Sequence, residues 1–409
     1  MRIVEFEVLR ADGGWRPFSF LKLLTDEGLC GWAEFTEGPW SPALAEGILA
    51  LGRTVAGEDP RRYALVAERL HAATLFACGG LNHQAAAAIE NACIDVAAKA
   101  AGLPVHALFG GPVRESVPLY WSHCGSFRVL HAELFERVLG LARLESLDDV
   151  RALGREAVRR GYPAVKTNPI LFEPGGPRLV NPGFLSAGLE LERTVAEPVL
   201  RAIEAQAAAL REGLGPDMGL MLDVNFAYRP AALRRIARVL EPSRLAWLEA
   251  DVHDPQGLAS VRRAAPMPIA SLETLYGRRA YRAYLQAQAV DVAVVDVPWN
   301  GFAEAVRIAA LAEAFEVNVA PHNFYGPLAN LMSAQLCAVA GNVAIMEIEG
   351  DDVPWKDALL ERAPTIREGR FSVPATPGWG ADPDEDAIAA HPWHPVSADG
   401  PRTAGRDRR

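Results

Sequence analysis

The stretch Val317–Leu331, VNVAPHNFYGPLANL, decides how this chain is read. It opens as an apolar run, meets a proline, shows His322 and then turns helical. A core histidine would sit inside the apolar run, and a surface histidine would need no such run. His322 stands where a buried strand stops, so a rigid element holds it out for use.

Seven other runs have the same build: VPLYWSH, YPAVKTN, GLMLDVN, LAWLEAD, PIASLET, VDVAVVD and VAIMEIE. Helical segments separate them from about Val117 onward, the pattern of parallel strands joined by βα crossovers. Eight is the closing number of a (β/α)8 TIM-type barrel, and a span of roughly 240 residues suits one. One interval, PILFEPGGPRLVNPGFLSAGLELER, is too long and too rich in Gly and Pro for a crossover, and reads as a lid at the barrel mouth.

Ahead of the barrel the pattern is α+β. RIVEFEVLR alternates with period two, and FSFLKLLTDEGLCGWAEF reads as a hairpin turning at Asp26-Glu27-Gly28. Asp59 and Pro60 open one helix. An Ala-rich helix runs from Asn82 and stops at Gly102. The organisation expected is an α/β chain with an N-terminal α+β capping domain (1–116), a barrel (117–355) and a C-terminal return segment with a mobile tail (356–409).

The 409 residues are half hydrophobic, enough for a large core. A net charge of -10 argues against nucleic acid as a partner. Cys30, Cys78, Cys93, Cys124 and Cys337 are scattered singly, which fits neither a disulfide framework nor a zinc site. No apolar run approaches the roughly 20 residues of a membrane helix, and MRIVEFEVLR lacks a signal-peptide core. The expectation is a cytoplasmic protein acting on a small molecule, with no membrane and no nucleic-acid partner.

The polar residues close the strand-like runs. The second gives Lys166 and Asn168, the third Asp223 and Asn225, the fourth Glu249 and Asp251, and the fifth Glu273. The sixth gives Asp296, the seventh His322 and the eighth Glu347. A barrel brings these strand ends to one mouth, where barrel enzymes carry their active sites. Three carboxylates on successive strands, Asp223, Glu249 and Glu273, repel unless a cation sits among them. Oxygen-only ligands suit Mg²⁺. A carboxylate beside an imidazole fixes its tautomer and raises its basicity, so Asp296 and His322 read as a general base. Lys166 faces them as an anion holder or an acid/base. Glu347 can bond the substrate oxygen that gains charge.

These residues resemble the enolase superfamily, specifically its mandelate racemase and muconate lactonizing enzyme family. GLCGWAEFTEG, AAIENACIDVAAKAAGLPVHALFGG, VKTN, LDVN, WLEAD, IASLET, VVDVPWNGF and APHNFYGPL carry the resemblance over nearly the whole chain. The order Lys, Asp, Glu, Glu, Asp, His, Glu on strands two to eight is similar to the mandelate racemase subgroup and its acid-sugar dehydratases, such as galactonate dehydratase. The resemblance implies that Mg²⁺ binds a substrate carboxylate, a base removes the α-proton and an enediolate forms, the superfamily strategy described generally for a Lys or His base.

There are departures. Asn168 replaces the second lysine of the racemase's Lys-x-Lys. Asn225 stands where galactonate dehydratases carry a histidine acid, which leaves the acid for the departing hydroxyl open among His322, His123 and Tyr325. The fourth strand reads Glu-Ala-Asp, so Asp251 could reach the metal or the lid. Leu272 precedes Glu273 where Gly is common. Capping loops set specificity in the family; here they present Trp15, Arg16 and Trp40, expected to be exposed between Gly and Pro, with Arg16 at the distal end of the substrate. The expected function is a Mg²⁺-dependent acid-sugar dehydratase giving a 2-keto-3-deoxy acid. The alternatives are a racemase or epimerase of an α-hydroxy or amino acid and, in a different class, a non-catalytic binding member of the fold. Self-association as a homo-oligomer is also implied.

Overall fold

The computed structural model describes residues 1–38, 41–180, 194–226 and 228–394. Trp40 and the second half of the expected lid, 181–193, lie outside the described residues, as does the basic tail.

The N-terminal alternation produces an antiparallel sheet of Ile3–Asp12, Pro17–Thr25 and Cys30–Phe35. Gly28 takes φ 81° in the turn between the last two. The Ala-rich helix Gly80–Ala101 packs across this sheet and ends at Gly102 with φ 68°. Contact is direct: a Cβ on Gly31 would stand 2.2 Å from the Ala92 carbonyl oxygen.

Eight parallel strands then form the barrel among the described residues. They are Ser116–Ser122, Ala164–Thr167, Gly219–Asp223, Trp247–Glu249, Ile269–Ser271, Val292–Asp296, Asn318–His322 and Met346–Glu349. Each pairs in parallel with the next from the first to the seventh. The eighth pairs with the first, and the Val319–Val343 bridge joins its approach to the seventh, which closes the barrel. An antiparallel hairpin, Ile170–Glu173 with Gly176–Leu179, leaves the second strand where the lid is expected to begin.

Side-chain alternation explains which residues reach the mouth. Tyr120, Ala164, Met221, Trp247, Ala270, Val294 and Ala320 fill one buried layer of the barrel interior. Successive strand residues face opposite sides, so the residue two positions further on faces inward again, one layer higher. That step leads from Ala164 to Lys166, Met221 to Asp223, Trp247 to Glu249, Val294 to Asp296 and Ala320 to His322. The apolar layer is the floor of the site.

The segment after the eighth strand returns to both parts. Arg370–Ser372 pairs with the start of the first barrel strand. The Trp379 indole N–H donates to the Trp32 carbonyl (2.8 Å). Asp95 of the cap helix accepts the Trp32 and Trp379 backbone N–H groups at 2.9 and 3.0 Å and pairs with Lys99 at 2.7 Å. One buried carboxylate thus ties cap strand, cap helix and return segment. No helix of the described residues is long and apolar enough to cross a membrane.

The cap helix also organises the sixth barrel loop. Asn91 Oδ1 accepts the Phe302 N–H (2.8 Å), satisfying the start of helix Phe302–Glu313. Its neighbour Glu90 is buried against Gly301, where a Cβ would lie 2.0 Å from the Glu90 carboxylate. Burial raises the Glu90 carboxyl to about 8; Arg307 opposes the rise and Glu304 adds to it. Folding therefore holds a proton that the unfolded chain, with its ordinary carboxyl near 4.5, releases. The stabilisation is complete below that value and is lost as pH rises toward 8. Glu90→Gln should gain about 3 kcal/mol on the parent between pH 5 and pH 8. Denaturant midpoints at the two pH values measure this, and an equal difference at both would refute it.

Candidate active site

His322 and Asp296 are direct register partners on adjacent strands. His322 Nδ1 lies 2.6 Å from Asp296 Oδ2, which assigns a ring proton to Nδ1, and Nε2 faces the mouth. Asp296 is held from two further sides, by the Trp299 N–H (2.6 Å) and by the Tyr325 hydroxyl. It is at once the cap of a short helix, Val297–Asn300, and the orienter of a histidine. Tyr325 is thus occupied with Asp296, at 3.2 Å from His322 Nδ1. The Trp299 ring lies against the imidazole with centroids 5.3 Å apart.

Asp223 and Glu249 are also register partners, on the third and fourth strands. Glu273 follows the fifth, and the mechanism of its placement is visible. Leu272 takes φ 95°, a costly left-handed conformation for a branched side chain, and breaks the alternation. Asp251 accepts the Leu272 N–H (3.0 Å) and the Ser271 hydroxyl, which pins that turn. Asp251 is therefore engaged in shaping the Glu273 turn. Asn225, with φ 50°, donates its backbone N–H to Asp223 Oδ1 (2.8 Å). Asn168 is buried and donates its side-chain amide to the Asp223 carbonyl (3.2 Å). Both asparagines hold the Asp223 strand end.

Lys166 is 3% exposed and stands 3.0 Å from Glu347, 3.1 Å from Glu249 and 3.7 Å from Asp223. Burial disfavours its charge, but Glu249 and Glu347 hold its pKa well above the ordinary value. Burial would lift Glu347; Lys166, His322, the Ser122 hydroxyl and the Asn323 N–H instead hold it down at about 2. Glu347 is a carboxylate that accepts bonds.

The other three acids behave oppositely. Burial raises Asp223, raises Glu249 to about 7 and raises Glu273 well above the carboxylate range. Lys166 opposes the first two and His322 the third, while repulsion from neighbouring carboxylates, Asp251 and Glu347 among them, adds to all three. His322 Nε2 is 3.4 Å from Glu273 Oε2, and despite burial its pKa is lifted to about 10 by Glu273 and Asp296. No group of three or more His, Cys, Asp or Glu among the described residues is arranged to hold a metal ion as it stands. Glu249 leans on Lys166 and Glu273 on His322. The donor set still fits a hard dication: three buried, mutually repelling carboxylates crowd one mouth, each costly to ionise without added positive charge.

Two family models cover most of the chain. Residues 149–387 match the enolase C-terminal domain-like family, and residues 12–110 match the mandelate racemase / muconate lactonizing enzyme N-terminal domain. The chain belongs to the mandelate racemase/muconate lactonizing enzyme family. It is an enzyme of the enolase superfamily. Among solved structures, a proposed L-alanine-DL-glutamate epimerase from Burkholderia xenovorans strain LB400 is 40% identical with TM-score 0.92, covering 96% of this chain and 98% of that one. A second structure of that protein holds magnesium and fumarate. Among curated relatives, a D-xylonate dehydratase of Haloferax volcanii is 28% identical over 95% of this chain and 88% of its own length. A D-galactonate dehydratase family member of Streptomyces bingchenggensis is 27% identical over 96% and 94%.

The cap contributes more to this mandelate racemase-family site than its loops suggest. Arg16, expected at an exposed loop, is 5% exposed because Asp352 accepts from its Nη2 (3.0 Å) and the rings of Trp15, Phe18 and Phe324 surround it. Its Nε and Nη1 are buried without a hydrogen-bond partner. Trp15 is partly buried and stacks on His131 with centroids 4.9 Å apart. Glu34 reaches from the third cap strand to accept the Gly326 and Ala329 N–H groups at the start of helix Pro327–Val339, directly after His322. Sequence reasoning missed Glu34. Its inward, acidic position in the buried strand Cys30–Phe35 was the available signal.

Asp296→Asn should leave the fold and Tyr325 in place yet cut proton abstraction by roughly 10²- to 10⁴-fold, the range for losing the group that orients a catalytic histidine. α-Deuterium exchange measures it; a wild-type exchange rate would show that Asp296 serves only as a helix cap.

Proposed function

We propose that this enzyme is a Mg²⁺-dependent dehydratase of acid sugars that acts in the cytoplasm. It would remove the proton α to a carboxylate and expel the β-hydroxyl to give a 2-keto-3-deoxy acid. The observation that carries this reading is the oriented His322–Asp296 pair on strands six and seven, facing three buried carboxylates on strands three to five. Curated relatives named as D-xylonate and D-galactonate dehydratases support it.

Asp223, Glu249 and Glu273 would hold Mg²⁺, which when bound neutralises the substrate carboxylate and the charge that develops on it. His322 takes the α-proton on Nε2 while Asp296 holds Nδ1–H and stabilises the imidazolium. Lys166, cationic between Glu347 and Glu249, holds the anionic end of the substrate from the opposite side. Glu347 and the asparagines Asn168 and Asn225 keep those groups in place. Arg16, with two buried donors free, takes the distal end, flanked by Trp15.

Epimerisation is the second reading. Lys166 lies three strands round the barrel from His322, and the 40% identical Burkholderia protein is a proposed epimerase. In D₂O with MgCl₂, a panel of C5 and C6 aldonates and aldarates should yield keto acid with at least one member. An epimerase would instead deuterate the α-carbon and retain the β-hydroxyl.

Two variants test the assignments. MgCl₂ should raise the melting temperature of the parent, and Glu249→Gln should abolish that rise; a full shift in the variant would move the metal to other ligands. Arg16→Met should raise KM for substrates with a polar or anionic distal end by roughly 10-fold or more, given about 1.5–3 kcal/mol for a hydrogen bond to a charged group. Unchanged KM across the panel would remove Arg16 from the site.

A further inference from the structure

A second histidine–carboxylate pair stands at the same mouth. His123 directly follows the first barrel strand and Glu349 ends the eighth, and those strands pair with Glu349 beside Ser122. His123 Nδ1 is 2.9 Å from Glu349 Oε2 and 3.2 Å from the Ser122 hydroxyl. The ring is fixed by Phe127, stacked at 4.1 Å with planes 9° apart. No described residue bonds its Nε2, and the side chain keeps 20% of its surface open, whereas Glu349 keeps none. Both imidazoles, His123 and His322, pack on the same Phe324 ring, with centroids at 5.6 and 5.2 Å.

The two pairs differ in how their carboxylates are served. Asp296 accepts from His322, Tyr325 and the Trp299 N–H, so three donors favour its ionised form. Glu349 has His123 at one oxygen, and its other oxygen, Oε1, is buried without a partner. A buried carboxyl with one bare oxygen favours the protonated form.

We propose that His123 and Glu349 form a proton relay that protonates the β-hydroxyl as it leaves, and so supply the acid that the dehydratase reading, on which this inference rests, requires. The Glu349 hydroxyl donates to His123 Nδ1, so Nε2 carries the ring hydrogen. As the substrate C–O bond breaks and its electron pair passes to oxygen, the Nε2 proton forms the new O–H bond. The Glu349 proton moves to Nδ1. The products are water, neutral His123 and a Glu349 carboxylate, an anion that Arg16 and Lys356 favour and that Asp352 and Asp351 disfavour. The α-proton taken by His322 passes through solvent to the open His123 Nε2, the Nδ1 proton returns to Glu349, and the enol product becomes the ketone. Burial dominates both resting groups: it lifts Glu349 well above the carboxylate range and lowers His123 to about 3, which agrees with a neutral pair before turnover.

The test uses His123→Asn and Glu349→Gln with MgCl₂ in D₂O. The probes are D-galactonate, D-gluconate and D-xylonate, and the 3-deoxy-3-fluoro analogue of whichever the parent dehydrates. Fluoride needs no proton to leave. His123→Asn should lose keto-acid formation by roughly 10²-fold or more. It should keep α-deuterium exchange and fluoride release within about threefold of the parent. Glu349→Gln should show the same split with a loss of roughly 10-fold or more. Unchanged dehydration in both variants, or a parallel loss of exchange, fluoride release and dehydration in both, would overturn the relay. A parent that exchanges α-protons yet releases no water from any acid would overturn the dehydratase reading itself, and the relay with it.

Discussion

Too many buried acidic groups share one mouth, and the rest of the site is arranged around that excess. Asp223, Glu249, Glu273, Asp296 and Glu347 are all buried, and the buried cations among them are Lys166 and His322. At 4 Å two like charges cost about 4 kcal/mol in a partly screened protein setting. Glu347 wins its ionised form because Lys166 and two further donors converge on it. Glu249 and Glu273 take what remains, one cation each. A site so short of positive charge is one in which a dication, a proton or an anionic substrate's own counter-charge changes every other group's state at once.

Rigidity comes from turns at the strand ends. Each inward residue is set by the barrel's period of two, but that period alone would place Leu272, not Glu273, at the mouth. The left-handed Leu272 turn, held by Asp251, corrects this. Glu34 makes a similar contribution from the cap, because its carboxylate satisfies the first N–H groups of the helix that follows His322. Cap and barrel are therefore coupled through hydrogen bonds, beyond the loops that cover the substrate.

The barrel was legible because its evidence is local: eight apolar runs, each ending in a polar residue, with helices between. The convergence of the polar strand ends was legible for the same reason, as strand ends of a closed barrel must meet at one mouth. What stayed hidden depends on partners far away in sequence. Arg16 looks exposed between Gly and Pro until Asp352 and Phe324 are brought beside it. Tyr325 reads as a free acid until its hydroxyl meets Asp296. Glu349 closes the run VAIMEIE in plain view, yet only the pairing of the eighth strand with the first gives it His123. Asp251 reads as a spare ligand because a positive φ at Leu272 leaves no trace in composition.

The choice between water loss and stereochemical inversion rests on what each asks of Lys166. Inversion needs a second base that can shed its proton on the face opposite His322. Lys166 touches three carboxylates, and its charged form is held well beyond neutral pH. If Asp223 and Glu249 serve a metal, Glu347 remains, and it is the most firmly ionised acid of the mouth. A lysine so paired suits an anion better than it suits a carbon acid. Water loss asks instead for one base and one separate acid. The mouth offers two imidazoles on a shared phenylalanine, one backed by a carboxylate with three donors and one by a carboxyl with a bare oxygen. That inequality between two otherwise similar pairs is the chemical asymmetry that elimination requires.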